Sequence, residues 1–548
     1  MILSGAQILI EELKRLKVKN VFGYPGGAVL NIYDELYKNS DKLNHVISAH
    51  EQGAVHAADG YARVTGEVGV VIATSGPGAT NLVTGIANAY LDSVPLVAIT
   101  GNVASDLLGR DSFQEVDIVG ITLPIVKHSF IVKNICDLEK VIKEAFYIAS
   151  EGRKGPVLID IPKDIQMAKY EYLGYEFSEI KKYETDFEAI EEAAELINNS
   201  KKPYIYCGGG VVSANASELV KKLSEKLQAP IGLSMMGISA IPHSYPLNLG
   251  MTGMHGKIEA SISKSESDMV IAIGVRFSDR ATGNKQAYTE NRKFIHIDID
   301  PAEFNKNVTS DVAIFGDINT VLTSLLEKVK QKEPGDWYKK INKPTLNENK
   351  MVFSPKNIIE TVNSYCKEDT VVATDVGQHQ LWTMQNYKFS KPRTALTSGG
   401  LGTMGYGLGA AIGGCIGNNR ERTVLFTGDG SFGMNLNELA TAVSQNLPII
   451  IVILDNGVLG MVRQWQKIFY ANRFSQTTLN RKTDFAMLAK AFGADGYHVS
   501  SLEELQQALD SAFKTNDMPI VIDCHIDMDE KVLPMIPPGG SIKNIILN

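Results

Sequence analysis

The chain has 548 residues, 44% apolar and 21% charged, a composition ordinary for a soluble globular protein and a length well beyond one hydrophobic core. Its net charge of -8, with no block of Lys and Arg, argues against a nucleic-acid partner. The longest apolar runs, such as 449–454, are too short to span a bilayer, and the first residues carry neither a secretory nor a transit pattern, so a cytoplasmic protein without a membrane partner is expected.

The chain opens on an amphipathic helix carrying Ile8, Leu9, Ile10, Leu13 and Leu16. Apolar strands then alternate with longer amphipathic segments, the pattern of parallel α/β units. Val68-Gly69-Val70-Val71-Ile72-Ala73-Thr74 leads to Ser75-Gly76-Pro77-Gly78, a helix, and Pro95-Leu96-Val97-Ala98-Ile99. Two polar, charged stretches, 170–184 and 330–350, interrupt the alternation and divide the chain into segments 1–175, 185–335 and 350–548. The last segment repeats the logic of the first: Thr423-Val424-Leu425-Phe426 leads to Gly428-Asp429-Gly430, a helix, and a strand after Pro448. Each also has a Gly-Tyr step, Gly60-Tyr61 and Gly405-Tyr406. The expected fold is α/β: three doubly wound parallel-sheet domains, the first and third alike. Ligands of such sheets sit at the carboxyl ends of the strands, so chemistry is sought in the glycine turns there. Five scattered cysteines (Cys136, Cys207, Cys366, Cys415, Cys524) show no metal-type pairing and read as reduced, buried thiols.

Gly428-Asp429-Gly430-Ser431, followed by a helix and a strand ending in Asp455-Asn456, places Asp429 and Asn456 at neighbouring strand ends within reach of one cation. Magnesium takes few protein oxygens and completes its octahedron with phosphate and water. The glycines let backbone approach a diphosphate at a helix expected to start near Asn435. Alone, Gly-Asp-Gly is more often a plain turn; with Asp-Asn at this spacing it resembles the thiamine-diphosphate motif. Ser48-Ala49-His50-Glu51-Gln52-Gly53-Ala54 is the second feature. Taken alone, Glu51 reads as a helix cap. Thiamine chemistry, however, needs a carboxyl group on the aminopyrimidine ring, where it promotes loss of the thiazolium proton.

Beyond these motifs, the chain resembles the acetohydroxyacid (acetolactate) synthase large catalytic subunits over nearly its whole length. The resemblance is carried by Val21-Phe22-Gly23-Tyr24-Pro25-Gly26-Gly27-Ala28, Gly109-Arg110-Asp111-Ser112-Phe113-Gln114-Glu115, Asp160-Ile161-Pro162-Lys163-Asp164, Met461-Val462-Arg463-Gln464-Trp465-Gln466 and Val532-Leu533-Pro534-Met535-Ile536-Pro537-Pro538-Gly539. It implies an enzyme that decarboxylates pyruvate and joins the two-carbon remnant to pyruvate or 2-ketobutyrate in branched-chain amino-acid biosynthesis. Glu51 matches the catalytic glutamate, and Gly27, Ala28, Phe113, Gln114 and Lys163 line the reaction site. Pro77, Asn81, Gly377, Gln378, His379, Gly402, Met404, Gly430, Ser431, Met434, Val458 and Met461 would hold thiamine diphosphate. Among them, Gly377, Gln378 and His379 would meet the diphosphate, and Met404 would bend the cofactor. Magnesium would take Asp429, Asn456 and the Val458 carbonyl, and Trp465 would select the second substrate.

The middle segment resembles the flavin domain of the biosynthetic enzymes through Gly274-Val275-Arg276-Phe277-Ser278-Asp279-Arg280. By that resemblance Arg153, Gly208, Gly209, Gly210, Met254, His255, Arg276, Asp279, Arg280, Asp298 and Asp317 would contact FAD, with the guanidinium groups suited to phosphate oxygens. A purely structural domain is the competing reading. The family's glutamate and magnesium motif come from different subunits, so a homodimer or homotetramer is implied, with room for a separate regulatory small subunit. Ala104, Arg110 and Ser278 depart from the family's usual proline, threonine and acidic residue. The rivals are a flavin-dependent pyruvate oxidase, a catabolic acetolactate synthase that binds no flavin, a simple decarboxylase, which Gln114 and Lys163 disfavour, and a glyoxylate carboligase, whose counterpart of Glu51 is not an acid. A catalytically silent binding protein is the least favoured, since Glu51, Asp429 and Asn456 are all in place.

Overall fold

The computed structural model describes residues 1–174, 184–335, 337–339 and 352–547. Most of both polar stretches between the expected segments thus lies outside the described residues. The strands are β1 (Ile2–Ser4), β2 (Asn20–Gly23), β3 (Asn44–Ile47), β4 (Gly69–Ala73), β5 (Leu96–Asn102), β6 (His128–Ile131), β7 (Pro156–Pro162), β8 (Lys169–Glu171), β9 (Pro203–Cys207), β10 (Ile231–Leu233), β11 (Asn248–Met251), β12 (Met269–Ile273), β13 (Lys293–Asp298), β14 (Val312–Phe315), β15 (Val371–Thr374), β16 (Ala395–Leu396), β17 (Thr423–Gly428), β18 (Ile449–Asp455), β19 (Asp495–Val499) and β20 (Ile520–His525).

They form three six-stranded parallel sheets, ordered β3-β2-β4-β5-β7-β6, β11-β10-β9-β12-β13-β14 and β16-β15-β17-β18-β20-β19, plus the antiparallel pair β1-β8. Counted within each unit, the first and third sheets have the same order, 2-1-3-4-6-5. The middle sheet has the order 3-2-1-4-5-6 of dinucleotide-binding folds. The central strands are fully buried runs of Val, Ile and Leu, as helices on both faces require. The first helix, Gly5–Arg15, starts at a capping box between Ser4 and Gln7 and buries Ile8, Leu9, Ile10 and Leu13.

The outer units touch through helices Glu51–Thr65 and Tyr406–Gly417. A Cβ on Gly413 would lie 1.7 Å from the Ala57 carbonyl oxygen, so only glycine lets the helices close to this distance. Buried charge fastens the same seam: Asp59 accepts from Arg63 (2.5 Å) and Tyr406 Oη (2.7 Å), and Asp92 accepts from Arg63 and from the Gly399 and Gly400 N–H groups. Near the chain's end the Ile536 N–H donates to the Met254 carbonyl and the Gly540 carbonyl accepts from the Asn284 N–H, laying that segment on the middle unit.

All five cysteines are unpaired, but the expectation that all are buried fails for two of them. Cys136 is exposed because it lies off the face of helix Ile135–Ser150 that buries Leu138, Ile142 and Ala145, and Cys366 is half-buried. Among the described residues no helix is long and apolar enough to cross a membrane.

Candidate functional site

On the first sheet the named residues converge on the carboxyl ends of adjacent strands. Gly27 and Ala28 follow β2, Glu51 follows β3, Pro77 follows β4, Phe113 and Gln114 lie beyond β5, and Lys163 follows β7. The crossing point between β2 and β4 is closed by a bond from the Ala28 N–H to Thr74 Oγ1. Glu51 is not the helix cap. His50 is, its Nδ1 accepting from the Gln52 N–H at 3.1 Å, which frees the buried Glu51 carboxylate to accept from Asn81 Nδ2 at 2.9 Å. Gly76 has φ +59° and faces the Gln114 carbonyl, where a side chain would have no room. Gln114 itself takes φ +58°, and the Phe113 ring beside it is 87% exposed. Lys163 is also exposed, so these three residues face outward from the crossing point.

The third sheet places its residues at the equivalent crossing, between β15 and β17. Gly377, with φ +152°, leads into helix Gln378–Asn386; Gly428 leads into helix Asp429–Asn435. That second helix starts at Asp429 rather than near Asn435, so Gly430 and Ser431 are in its first turn, whose N–H groups lack intrahelical acceptors and suit an anion. His379 lies between the two turns, close enough that a Cβ on Gly428 would meet Nδ1 at 2.8 Å. Burial drives the ring down to about 3, so it is neutral, and its buried Nε2 has no hydrogen-bond partner. Asp429 is buried too; burial first, then the neighbouring charge of Asp455, pushes its carboxyl up to about 7.

Asn456 Oδ1 accepts from the Val458 N–H at 3.2 Å and its Nδ2 donates to Gln378 Oε1 at 3.2 Å. Val458 pairs with Thr478 through the Leu459 N–H and the Gly457 carbonyl, which leaves its own carbonyl outside that pairing. The Gln378 amide is held in the protein, donating to Gln464 Oε1 (3.0 Å) and the Glu530 carbonyl (2.8 Å), so only its backbone faces the glycine turn. Met404 reaches Gly430, and Met434 packs beside Gly405, three residues from the exposed, positive-φ Gly402. Helix Gly460–Phe469 carries Met461 and Trp465, both partly buried. The indole meets the Phe469 ring edge-on at 5.4 Å and lies under the Arg280 guanidinium, which is 5.5 Å from its centroid.

In the middle sheet the crossing falls between β9 and β12. Gly208, Gly209 and Gly210 follow β9; Gly208 and Gly210 press on Gly274 after β12 and Gly209 faces Met236, and a Cβ on Gly208 would lie 1.9 Å from the Gly274 carbonyl oxygen. Arg276 donates to the Leu91 carbonyl, and Arg153 to Asp300 (3.1 Å) and Glu303 (2.6 Å). Asp298 ends β13, its buried carboxyl pushed up to about 6 by burial. Met254 and His255 are buried, the His255 Nδ1 without a partner, while Asp279 is exposed. Asp317 caps helix Ile318–Lys328, accepting from the Thr320 N–H at 3.0 Å.

Residues 3–121, 190–325 and 375–524 match the N-terminal TPP-binding, central and C-terminal TPP-binding domain models of the thiamine pyrophosphate enzymes. The chain is 43% identical to the acetolactate synthase large subunit of Buchnera aphidicola subsp. Schizaphis graminum, over 100% of this chain and 99% of that one. It is also 43% identical to the isozyme 3 large subunit of Escherichia coli K12, over 100% and 99%, and 42% identical to the isozyme 2 large subunit, over 98% of each. The chain belongs to the acetolactate synthase family of thiamine pyrophosphate enzymes. This membership accords with three parallel six-stranded units and makes the chain an enzyme of the thiamine-pyrophosphate-dependent class.

Two positioning acids of this acetolactate synthase family member escaped the sequence reading. Asp375, just after β15, accepts from the Gly405 N–H (2.7 Å) and Thr427 Oγ1 (3.3 Å) and so fixes the Met404 turn; a lone acid at a strand end was the only available signal. Glu438 accepts from the Ala49 and His50 N–H groups (3.2 and 2.9 Å), holding the turn that presents Glu51. Its partners lie nearly four hundred positions away, and no local pattern marks it.

Proposed function

We propose that this acetolactate synthase family member decarboxylates pyruvate and condenses the two-carbon remnant with pyruvate or 2-ketobutyrate, giving 2-acetolactate or 2-aceto-2-hydroxybutyrate for branched-chain amino-acid synthesis. One observation carries the reading: matching strand ends of two like sheets bear complementary chemistry, a proton partner at Glu51 and a cation and diphosphate cradle around Asp429 and Asn456.

Bound thiamine diphosphate supplies a nucleophilic carbon and accepts the electron pair left when carbon dioxide departs. The residues fit it. The Asp429 carboxylate, Asn456 Oδ1 and the Val458 carbonyl are hard oxygens suited to Mg2+, and the cation would offset the burial and the Asp455 charge that hold Asp429 up. Backbone N–H groups at Gly377, Gln378, Gly430 and Ser431, with the orphaned His379 Nε2, are donors for phosphate oxygens. Gly402 and Met404 would border the cofactor ring, with Met434 and Met461 near it. Glu51 holds or accepts the proton at the pyrimidine nitrogen, kept in place by Asn81 beside Pro77. Gly27, Ala28, Phe113, Gln114 and Lys163 bind and orient the ketoacids, and the Trp465 face receives the second one.

The middle unit is assigned FAD on three supports: its strand order, the Gly208–Gly274 contact that any Cβ would fill, and the orphaned His255 Nδ1. Arg153, Arg276 and Arg280 would take phosphate or sugar oxygens, and Asp298 a ribose hydroxyl. The condensation moves no net electrons, so the flavin is structural. Two chains complete each site in this reading, because Phe113, Gln114 and Lys163 face outward. A separate small subunit fits the large-subunit names of the relatives, and the assignment is to the cytoplasm.

Product analysis tests the reading. Incubation with pyruvate, thiamine diphosphate and Mg2+ should give 2-acetolactate without oxygen. Acetate with peroxide would instead establish a pyruvate oxidase, and acetaldehyde a decarboxylase.

A further inference from the structure

At the β20-β19 edge of the third sheet, three side chains converge beside β18, where His525 is the register partner of Asp455. His498 on β19 and Asp523 on β20 are register partners across parallel strands, and His525 is two positions beyond Asp523, on the same face. Three separations define the cluster: His498 Nδ1 to Asp523 Oδ2 is 3.2 Å, His525 Nε2 to Asp523 Oδ2 is 3.5 Å, and His525 Nε2 to His498 Nδ1 is 3.4 Å.

We propose that His498, Asp523 and His525 form a second metal site, one that takes Zn2+ or a neighbouring divalent transition ion. Donors about 2.1 Å from one ion, at angles between 90° and tetrahedral, are separated by roughly 3.0–3.4 Å, which is close to the spacing seen. Two imidazoles with one carboxylate select such ions and disfavour Mg2+, which prefers oxygen. Asp523 is 1% exposed, its carboxylate meets no N–H in good hydrogen-bond geometry, and it faces the two imidazoles at 3.2 and 3.5 Å, so a cation held between them would satisfy the buried charge. The histidine rings are half-exposed, which gives an entry path and leaves solvent the remaining coordination position.

The outer partner is also present. Asp484 Oδ1, fixed by the Met487 N–H at 2.7 Å, lies 2.9 Å from His498 Nε2 and sets Nδ1 as the nitrogen turned toward the cluster. Carboxylate–histidine pairs of this kind orient metal-bound imidazoles. An ion here would pin the edge strand β19 to β20 and remove the repulsion between Asp523 and Asp455.

The test uses full-length protein treated with chelator, then given saturating thiamine diphosphate and Mg2+ to fill the first site. Titration with Co2+ should produce a ligand-field absorption band saturating at one equivalent per chain, which Zn2+ then displaces. His525→Gln and, separately, His498→Gln should abolish the band; both rings are exposed enough for the fold to tolerate the change. Asp484→Ala should weaken binding about 10–100-fold. The same Co2+ band and stoichiometry in wild type and both histidine variants, or no band in wild type, would overturn the proposal.

Discussion

The first and third sheets share one strand order and place their glycine turns at the same crossing point, but the acids at the two crossings are surrounded differently. In the first, Asp160 on β7 is met by protein donors, Thr100 Oγ1 and Asn102 Nδ2, each at 2.7 Å. Glu51 likewise has Asn81. In the third, Asp375 also has chain donors, but Asp429 feels the charges of Asp455 and Asp523, and His379 keeps an unpartnered nitrogen. In the first unit these acids, Asp160 and Glu51, are thus met by neutral amide and hydroxyl donors of the chain. The other is built around charge that a bound cation and an anion would complete. A shared topology fixes where chemistry can occur, and the turns decide which chemistry it is.

Four perturbations break or sharpen this contrast. The largest effect is expected for Glu51→Gln, which keeps the Asn81 contact but cannot take up a proton as the acid does. Turnover should fall about 10²–10⁴-fold with cofactor binding retained, as read from kcat and from exchange of the thiazolium proton followed by NMR. Wild-type exchange would remove Glu51 from its role.

Next is Asp429→Ala, which removes a hard ligand from the incomplete unit. Affinity for thiamine diphosphate in the presence of Mg2+ should fall by more than about 100-fold, since even outer-shell losses cost 10–100-fold. Calorimetric titration with and without Mg2+ checks it; an unchanged metal dependence would assign the cation elsewhere.

A smaller effect concerns Asp160, pushed up to about 6 by burial against its donors. Because its folded value exceeds the ordinary one near 3.8, the folded chain binds more protons between about pH 4 and 6. Stability therefore falls as pH rises through that window, by up to about 3 kcal/mol. Denaturation midpoints of wild type and Asp160→Asn across the window should show the slope reduced in the variant; equal slopes would show that Asp160 titrates normally.

The smallest change is expected for Trp465→Leu. Packing the extra methylene of 2-ketobutyrate on the indole is worth roughly 1 kcal/mol, so the product ratio in competition with pyruvate should shift several-fold toward 2-acetolactate. An unchanged ratio would return Trp465 to a packing role against Phe469 and Arg280.

Much of this was legible along the chain because it is local. Strand, glycine turn and helix follow one another within a few residues, so Glu51, Asp429 and Asn456 could be placed at strand ends from period and motif alone. The repeat of that unit in the outer segments was visible for the same reason. Capping was less legible: His50 rather than Glu51 caps its helix, and the helix after Gly428 begins at Asp429, because the identity of a cap depends on side-chain geometry that composition does not encode. Cys136 was misjudged because the exposure of a small apolar residue depends on which helix face it occupies.

The sequence by itself determined the fold class, the like outer units, the family and the glycine turns at the strand ends, all carried by short-range pattern. The tertiary structure alone decided which distant groups meet. Glu438 under the Glu51 turn, Asp375 on the Gly405 N–H, Arg280 over Trp465 and the cluster of His498, Asp523 and His525 are products of sheet register and unit packing. Parallel strands joined by crossover helices bring together residues far apart in the chain, and no local periodicity records that meeting.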